Sequence, residues 1–113
     1  MLTIYHNPRC SKSRQTLKLI KENSTKELKI VEYLKEPITQ ETIAQLLLQL
    51  SCSPVDMMRV KETEFTAQNL KEADDKTLIA AMVATPKLIE RPIVSDGNKA
   101  IIGRPPTNVL TLC

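Results

Sequence analysis

A predicted strand, helix and second strand follow one another within about the first 35 residues, and this order constrains the fold more than any other feature. Residues 2–5 form a short apolar run that is typical of a buried strand. Residues 11–22 place Leu17 and Ile20 on one face of a helix, and residues 28–34 alternate as a second strand would. A unit of this kind favours two parallel strands joined by a right-handed crossover.

The middle of the chain is predicted to be helical, over about residues 38–86. Thr39 is a residue type common at helix N-caps, and Pro54 is common at a first helical position. Asp74 or Asp75 would cap a third helix, which Pro86 would end. Apolar residues at helical spacing support the first and third helices: Ile43, Leu46, Leu47 and Leu50 in the first, and Leu78, Ile79, Met82 and Val83 in the third. The second helix would carry Met57, Met58 and Arg59.

The last part of the sequence predicts a β-hairpin. Residues 92–95 and 99–102 are strand-like, and Asp96-Gly97-Asn98 between them is a strong turn signal. Thr107 would cap a short terminal helix. The whole order predicts one α/β domain over residues 1–113, with a thioredoxin-like fold. Its mixed four-stranded sheet would have a helical insertion between the strand–helix–strand unit and the hairpin. By analogy with that fold, Arg91-Pro92 is expected to be a cis bond.

Composition excludes several kinds of protein. Hydrophobic content of 42%, charged content of 26% and a net charge of +3 are ordinary for a globular chain. With one Phe, two Tyr and no Trp, the chain has few aromatic side chains on which nucleic-acid bases could stack. We expect no membrane span, no nucleic-acid partner and a cytoplasmic location. A single histidine and three cysteines without metal-like spacing argue against a bound metal.

Cys10 is the strongest candidate for a chemically reactive residue. It lies at the predicted junction of the first strand and the first helix, in the sequence Tyr-His-Asn-Pro-Arg-Cys-Ser-Lys-Ser-Arg at positions 5–14. A helix N-terminus offers free backbone N–H groups and a positive dipole end to an anion. The same features favour the thiolate, the nucleophilic form of cysteine. The segment is therefore predicted to be a reactive-cysteine loop that binds an oxyanion, rather than to hold a buried structural cysteine.

Neighbouring residues limit what Cys10 can do. Ser13 stands where a dithiol motif would have its second cysteine, so no disulfide can form within the loop. A catalytic cycle based on Cys10 must then use an external thiol, or the thiol of Cys52 or Cys113. Cys52 and Cys113 are more simply explained as structural residues. The Ser13 hydroxyl is placed to donate to the thiolate, or is only a first-turn helix hydroxyl. His6 is either a supporting group for the thiolate or a hydrogen-bonded ring at a strand end.

Three arginines stand apart from the lysine-rich surface. Arg59 follows an apolar Met-Met pair, Arg91 precedes Pro92, and Arg104 lies between glycine and proline. In a thioredoxin-like fold these segments come near the cysteine loop. Because a guanidinium can bind a tetrahedral oxyanion through two donors, a thiolate beside three of them suits attack on an oxyanion centre.

These segments resemble the glutaredoxin-coupled arsenate reductases. Residues 4–8, Cys10 and Ser13-Arg14 resemble the family's active-site loop. Arg59, residues 90–94 and residues 103–105 match its other segments in the same order, from residue 2 to about residue 112. In two respects the chain differs from familiar members: it ends at residue 113 without their longer tail, and its loop has larger residues around the cysteine.

The resemblance implies a mechanism and a set of partners. Cys10 would attack arsenate, Arg59, Arg91 and Arg104 would hold it, and glutathione and glutaredoxin would supply electrons and release arsenite. The supporting residues of the loop would be His6, Asn7, Ser13 and Arg14. We expect no tightly bound cofactor and a monomer.

Two alternatives remain open from the sequence. One is a Spx-type regulator, which shares the fold and binds RNA polymerase, although Ser13 argues against its usual dithiol. The other is a related thiol reductase that acts on a different oxyanion or on a glutathione mixed disulfide.

Overall fold

A mixed four-stranded sheet organises the chain in the computed structural model, which describes residues 1–113. The strands are β1 (Leu2–Tyr5), β2 (Leu28–Val31), β3 (Ile93–Ser95) and β4 (Ala100–Ile102). They lie in the order β2-β1-β3-β4. β1 and β2 are parallel, whereas β1–β3 and β3–β4 are antiparallel. The predicted parallel pair and C-terminal hairpin are both present.

Four α-helices accompany the sheet: α1 (Ser11–Asn23), α2 (Gln40–Leu50), α3 (Thr63–Ala67) and α4 (Asp75–Ala84). Short 3₁₀ segments span Pro54–Met57, Leu70–Glu72, Pro86–Leu88 and Pro106–Leu112. The predicted N-caps of α2 and α4 are confirmed, because Thr39 and Asp74 each accept a hydrogen bond from the backbone N–H three residues on. No helix of the chain is long and apolar enough to cross a bilayer.

Some predicted boundaries were wrong. β2 ends at Val31 rather than at residue 34, because the chain turns there and the Lys35 N–H bonds the Glu32 carbonyl. The helix expected to carry Met58 and Arg59 is a 3₁₀ turn that ends before them, and Met58 instead pairs with Ile89 in an isolated bridge.

The C-terminal helix was also misjudged, and α3, which lies within the predicted helical insertion, was not predicted as a separate helix. The terminal helix is of the 3₁₀ type, and Pro105, not Thr107, occupies its cap position. The Arg91-Pro92 bond is cis, as expected from the fold analogy, and so is Arg104-Pro105.

The sheet separates two apolar cores, because successive strand residues point to opposite faces. Ile4 and Val94 pack into a small core beneath α1 and the C-terminal 3₁₀ segment. Ile93 belongs to a larger core on the other face, which the residues between β2 and β3 complete. Each fully buried side chain of this kind contributes about 1.5–3 kcal/mol relative to exposure, so the sheet is held firmly between both layers.

Candidate active site

Three segments that are distant in sequence lie at the same end of the sheet. Tyr5, the last residue of β1, pairs with Ile93 at the start of β3, and Ile93 pairs with Ile102 at the end of β4. The loop after β1, Arg91 before β3 and Arg104 after β4 therefore meet. The strand register thus brings together residues that the sequence could only suggest as partners.

Cys10 is the N-cap residue of α1 and is half-buried at this end of the sheet. Burial raises the pKa of its thiol and is the largest single influence. The opposing influences are the Ser13 backbone N–H, the Arg91 charge, the Lys12 backbone N–H and the Arg104 charge. Together they outweigh burial and hold the pKa of Cys10 below its ordinary value, so a larger fraction is thiolate near neutral pH.

Arg91 and Arg104 supply the positive charge beside this sulfur. The Nη2 of Arg104 lies 3.7 Å from the Cys10 Sγ, and its Nε donates to the Arg91 carbonyl at 2.9 Å. The Nε and Nη1 of Arg91 are buried without a hydrogen-bond partner in the protein. Buried donors without partners are costly, so their persistence next to a thiolate indicates a place built for an anion.

Arg59 takes a different position from the other two arginines. Its Nη1 lies 2.6 Å from the Oε1 of Glu62. The other carboxylate oxygen of Glu62, Oε2, lies 3.6 Å from the Lys87 Nζ. Arg59 lines a cleft together with Arg104, and its charge, like those of Arg91 and Cys10, acts on the buried Tyr33. The structure therefore places Arg59 near the other two arginines, with its guanidinium paired to Glu62.

His6 and Ser13 form a buried pair behind the loop. The His6 Nδ1 lies 2.7 Å from the Ser13 Oγ, which also accepts the Asn7 N–H at 3.0 Å. Of the two roles predicted for the Ser13 hydroxyl, donation to the thiolate is not observed, because this fully buried hydroxyl bonds His6 and Asn7. The Ser13 backbone N–H acts on Cys10 instead. Burial lowers the pKa of His6, which favours the neutral ring at pH 7.

Asn7 and Arg14 brace the loop backbone. The Asn7 Oδ1 accepts the Arg9 N–H at 3.0 Å, and the Asn7 backbone carbonyl accepts the Cys10 N–H at 3.0 Å. The Arg14 Nη1 donates to the Pro8 carbonyl at 2.9 Å. Both side chains thus fix the path of the chain before α1, which positions the Cys10 sulfur.

Tyr33 is a site residue that the sequence analysis missed. It is only 1% exposed, yet its hydroxyl lies within electrostatic reach of Arg91, Arg59 and Cys10. Burial raises its pKa to about 12, against the opposing effect of the two arginines. Nothing in the local sequence marks a tyrosine just after a strand as a site residue. The inward turn of the chain after β2 is what buries this side chain near the arginines.

Glu62 and Glu90 were also missed. Each approaches a candidate arginine, since the Glu90 Oε1 lies 3.7 Å from the Arg104 Nε and Glu62 bonds Arg59. The Arg59–Glu62 pair lies in a turn in which the Glu62 N–H bonds the Arg59 carbonyl, and the spacing of three residues could have suggested it.

The remaining cysteines pack against the apolar cores, Cys52 against the larger one and Cys113 against the smaller one. Cys52 and Cys113 are free thiols whose pKa values are raised, chiefly by burial. The Cys113 Sγ lies 3.6 Å from the Val109 carbonyl. No group of three or more His, Cys, Asp or Glu side chains is arranged to hold a metal ion.

The fold is that of a thioredoxin-like protein, with one cysteine of lowered pKa next to two arginines at one end of its sheet. The sequence model of the ArsC family matches residues 5–112, and the chain belongs to this family. The predicted family and fold class are therefore confirmed.

Individual relatives support the assignment. The chain is 48% identical to the uncharacterized protein YfgD of Escherichia coli K12, over 96% of this chain and 93% of that one. It is 39% identical to an arsenate reductase of Haemophilus influenzae, over 96% of both chains. An arsenate reductase structure from Vibrio cholerae superposes with a TM-score of 0.91 at 43% identity, covering 99% of this chain and 97% of that one.

Proposed function

We propose that this protein is an arsenate reductase. In the proposed reaction the Cys10 thiolate attacks the arsenic of arsenate held by Arg91, Arg104 and Arg59. An As–S bond forms, an As–O bond breaks, and the oxygen leaves as water after protonation. Arsenic is still As(V) in this adduct, so the reduction itself needs a further step.

The electrons would come from outside the loop. Reduction of As(V) to As(III) takes two electrons, which two thiols supply when they join as a disulfide. Because Ser13 replaces a second loop cysteine, and Cys52 and Cys113 pack against the two apolar cores, we propose that both thiols are external. Glutathione and glutaredoxin are the proposed donors. The products are arsenite, a mixed disulfide of the two donors, and the regenerated Cys10 thiolate.

The single observation that carries the proposal is the environment of Arg91. Two of its guanidinium nitrogens are buried without a partner in the protein, and its charge lowers the pKa of Cys10. A bound oxyanion would satisfy these donors and lie next to the nucleophile at once. The name of the Haemophilus influenzae relative points to arsenate as that anion.

The test is arsenate-dependent NADPH oxidation, coupled through glutathione reductase, glutathione and glutaredoxin. The wild type should turn over, and Cys10→Ser should be inactive. Arg91→Ala should lose most activity while Cys10 still reacts with iodoacetamide, whereas Lys18→Ala, on the exposed face of α1, should match the wild type. No turnover in the wild type would refute arsenate reduction, and binding to RNA polymerase without turnover would favour the regulator instead.

A further inference from the structure

Tyr33 lies at the same end of the sheet as the loop that carries Cys10. Val31, the last residue of β2, pairs with Tyr5, the last residue of the parallel strand β1. The chain then turns, because two backbone N–H groups further on both bond the Glu32 carbonyl. Since the loop begins directly after β1 and the turn directly after β2, the two segments are neighbours at this edge of the sheet.

The ring of Tyr33 packs among the residues that carry two of the candidate arginines. It is almost fully buried and belongs to the same apolar cluster as Met58 and Ile89, which pair with each other in an isolated bridge. Met58 directly precedes Arg59, and Ile89 lies two residues before Arg91. The charges of both arginines, and that of the reactive cysteine, accordingly act on the Tyr33 hydroxyl.

This hydroxyl keeps a proton that it can donate. Burial raises the pKa of Tyr33 to about 12, so the phenol stays protonated near neutral pH, whereas hydrogen bonding by the Asn7 side chain lowers this pKa. A hydrogen bond that lowers the pKa of a phenol is one that the phenol oxygen accepts. The Asn7 Oδ1 already accepts the Arg9 N–H at 3.0 Å, which leaves the amide NH₂ group to face the phenol. The phenol proton is then available to another acceptor.

Arg91 supplies two further donors close to this hydroxyl. Its Nε and Nη1 are buried without a partner in the protein, and its charge acts on both Tyr33 and Cys10. A guanidinium and a protonated phenol together present three N–H or O–H donors beside a thiolate. A set of donors of this kind suits a ligand that has several negatively charged oxygens.

We propose that Tyr33 is an anion-binding residue, whose hydroxyl donates a hydrogen bond to one oxygen of the oxyanion that Arg91 holds. This inference rests on the proposed function, because arsenate is the anion proposed for the site. The guanidinium balances the charge of the anion, and the phenol adds a single directional donor. The oxygen that it contacts is not the one that leaves. The hydrogen bond therefore holds the anion equally before and during the attack by the thiolate, and it lowers KM rather than raising kcat.

The first test measures binding without turnover, in a Cys52→Ser, Cys113→Ser background. Arsenate is titrated in the absence of glutathione, at constant ionic strength, while the rate of Cys10 alkylation by iodoacetamide is followed. Arsenate beside the sulfur, or joined to it, should protect the thiol. Tyr33→Phe should need about tenfold more arsenate for half-protection, because a hydrogen bond to a charged group is lost. Its alkylation rate without arsenate should stay within about twofold of the parent rate, which a disturbed loop would not allow.

Tyr5→Phe is the matched control for this measurement. The pKa of Tyr5 is also raised, but burial is the one cause, and the side chain lines a different cavity with Gln49 and Ser95. This variant should be protected at the same arsenate concentration as the parent. Equal half-protecting concentrations in Tyr33→Phe and Tyr5→Phe would overturn the assignment of Tyr33, as would a parent that arsenate does not protect.

The coupled assay separates this inference from the proposed function. Tyr33→Phe should raise the KM for arsenate by about the same factor as the half-protecting concentration and leave kcat within about twofold. Turnover with an unchanged KM in Tyr33→Phe would overturn the role of Tyr33 and leave the reductase standing. Protection that Tyr33→Phe weakens, in a protein without turnover, would leave the binding role standing and overturn the reductase.

Discussion

The Nη2 atom of Arg104 lies 3.7 Å from the Sγ atom of Cys10, although the two residues are 94 positions apart in the chain. The Nε of the same side chain donates to the Arg91 carbonyl, so the two cationic residues beside the sulfur are tied together. Because a nearby positive charge favours the thiolate, this arrangement helps to lower the pKa of Cys10 against the effect of burial.

Removing either charge should raise the pKa of Cys10. We expect Arg91→Ala and Arg104→Ala to shift the pH profile of iodoacetamide reaction to higher pH, with the larger shift for Arg91→Ala. Both variants should then react more slowly than the parent near neutral pH. The measurement uses a Cys52→Ser, Cys113→Ser background, so that only Cys10 is alkylated. Lys18→Ala is the control, and an unchanged profile in Arg91→Ala would contradict the electrostatic explanation.

Ser13→Ala should destabilise the fold. The change removes the partner of the His6 Nδ1 in buried surroundings and the acceptor of the Asn7 N–H in partly buried surroundings. Leaving a buried polar group unsatisfied costs about 1–3 kcal/mol, which urea denaturation can measure. The matched control is Ser11→Ala, an exposed serine at the start of the same helix. Equal stability of the two variants would show that the buried hydroxyl has no structural role.

Gly103→Ala should also be destabilising, for a steric reason. A Cβ at this position would lie 2.7 Å from the Thr16 Oγ1 and 2.9 Å from the Pro92 Cγ. Overpacking of this kind costs about 1–3 kcal/mol in the free energy of unfolding. Because Arg104 follows directly, the proposed activity should fall as well.

A double-mutant cycle can locate the clash at Gly103. Adding Gly103→Ala to a Thr16→Ala background should cost less than adding it to the wild type, since the nearest atom, the Thr16 Oγ1, is then gone and only the contact with the Pro92 Cγ remains. Additive effects of the two substitutions would mean that the strain arises at Pro92 or elsewhere.

Tyr33 should make the fold sensitive to alkali. Burial raises its pKa to about 12, above the value of 10.0 for an exposed phenol. A group whose pKa is higher in the folded state contributes stability below its unfolded pKa and loses it as the pH rises through the folded pKa. The free energy of unfolding should therefore fall between about pH 10 and pH 12, and Tyr33→Phe should flatten that decline.

Urea denaturation across this pH range checks the Tyr33 prediction. Tyr5→Phe is the matched control, because the Tyr5 pKa is also raised by burial, but that side chain is only partly buried. The two variants should therefore differ in the size of the effect. A Tyr33→Phe variant that declines as steeply as the wild type would be inconsistent with this assignment.

Local sequence patterns predicted much of the secondary structure. Apolar spacing gave α1, α2 and α4 their positions, and the Asp96-Gly97-Asn98 turn identified the hairpin. Short or irregular elements were missed. One of them, α3, has only five residues, which is too few to show a helical period. The end of β2 was misplaced because nothing local in residues 32–34 marks the turn that carries Tyr33 inward.

By itself, the sequence determined that Cys10 follows a strand and begins a helix, and that no second cysteine shares its loop, because both depend on residues close together in the chain. Only the tertiary structure decided which groups meet the thiol. The register of β1, β3 and β4 brings Arg91 and Arg104 to Cys10 and leaves Arg59 in the adjoining cleft with Glu62. Within the folded loop, the Ser13 hydroxyl turns toward His6. The arginine contacts depend on how distant strands pair and pack, which local patterns do not specify.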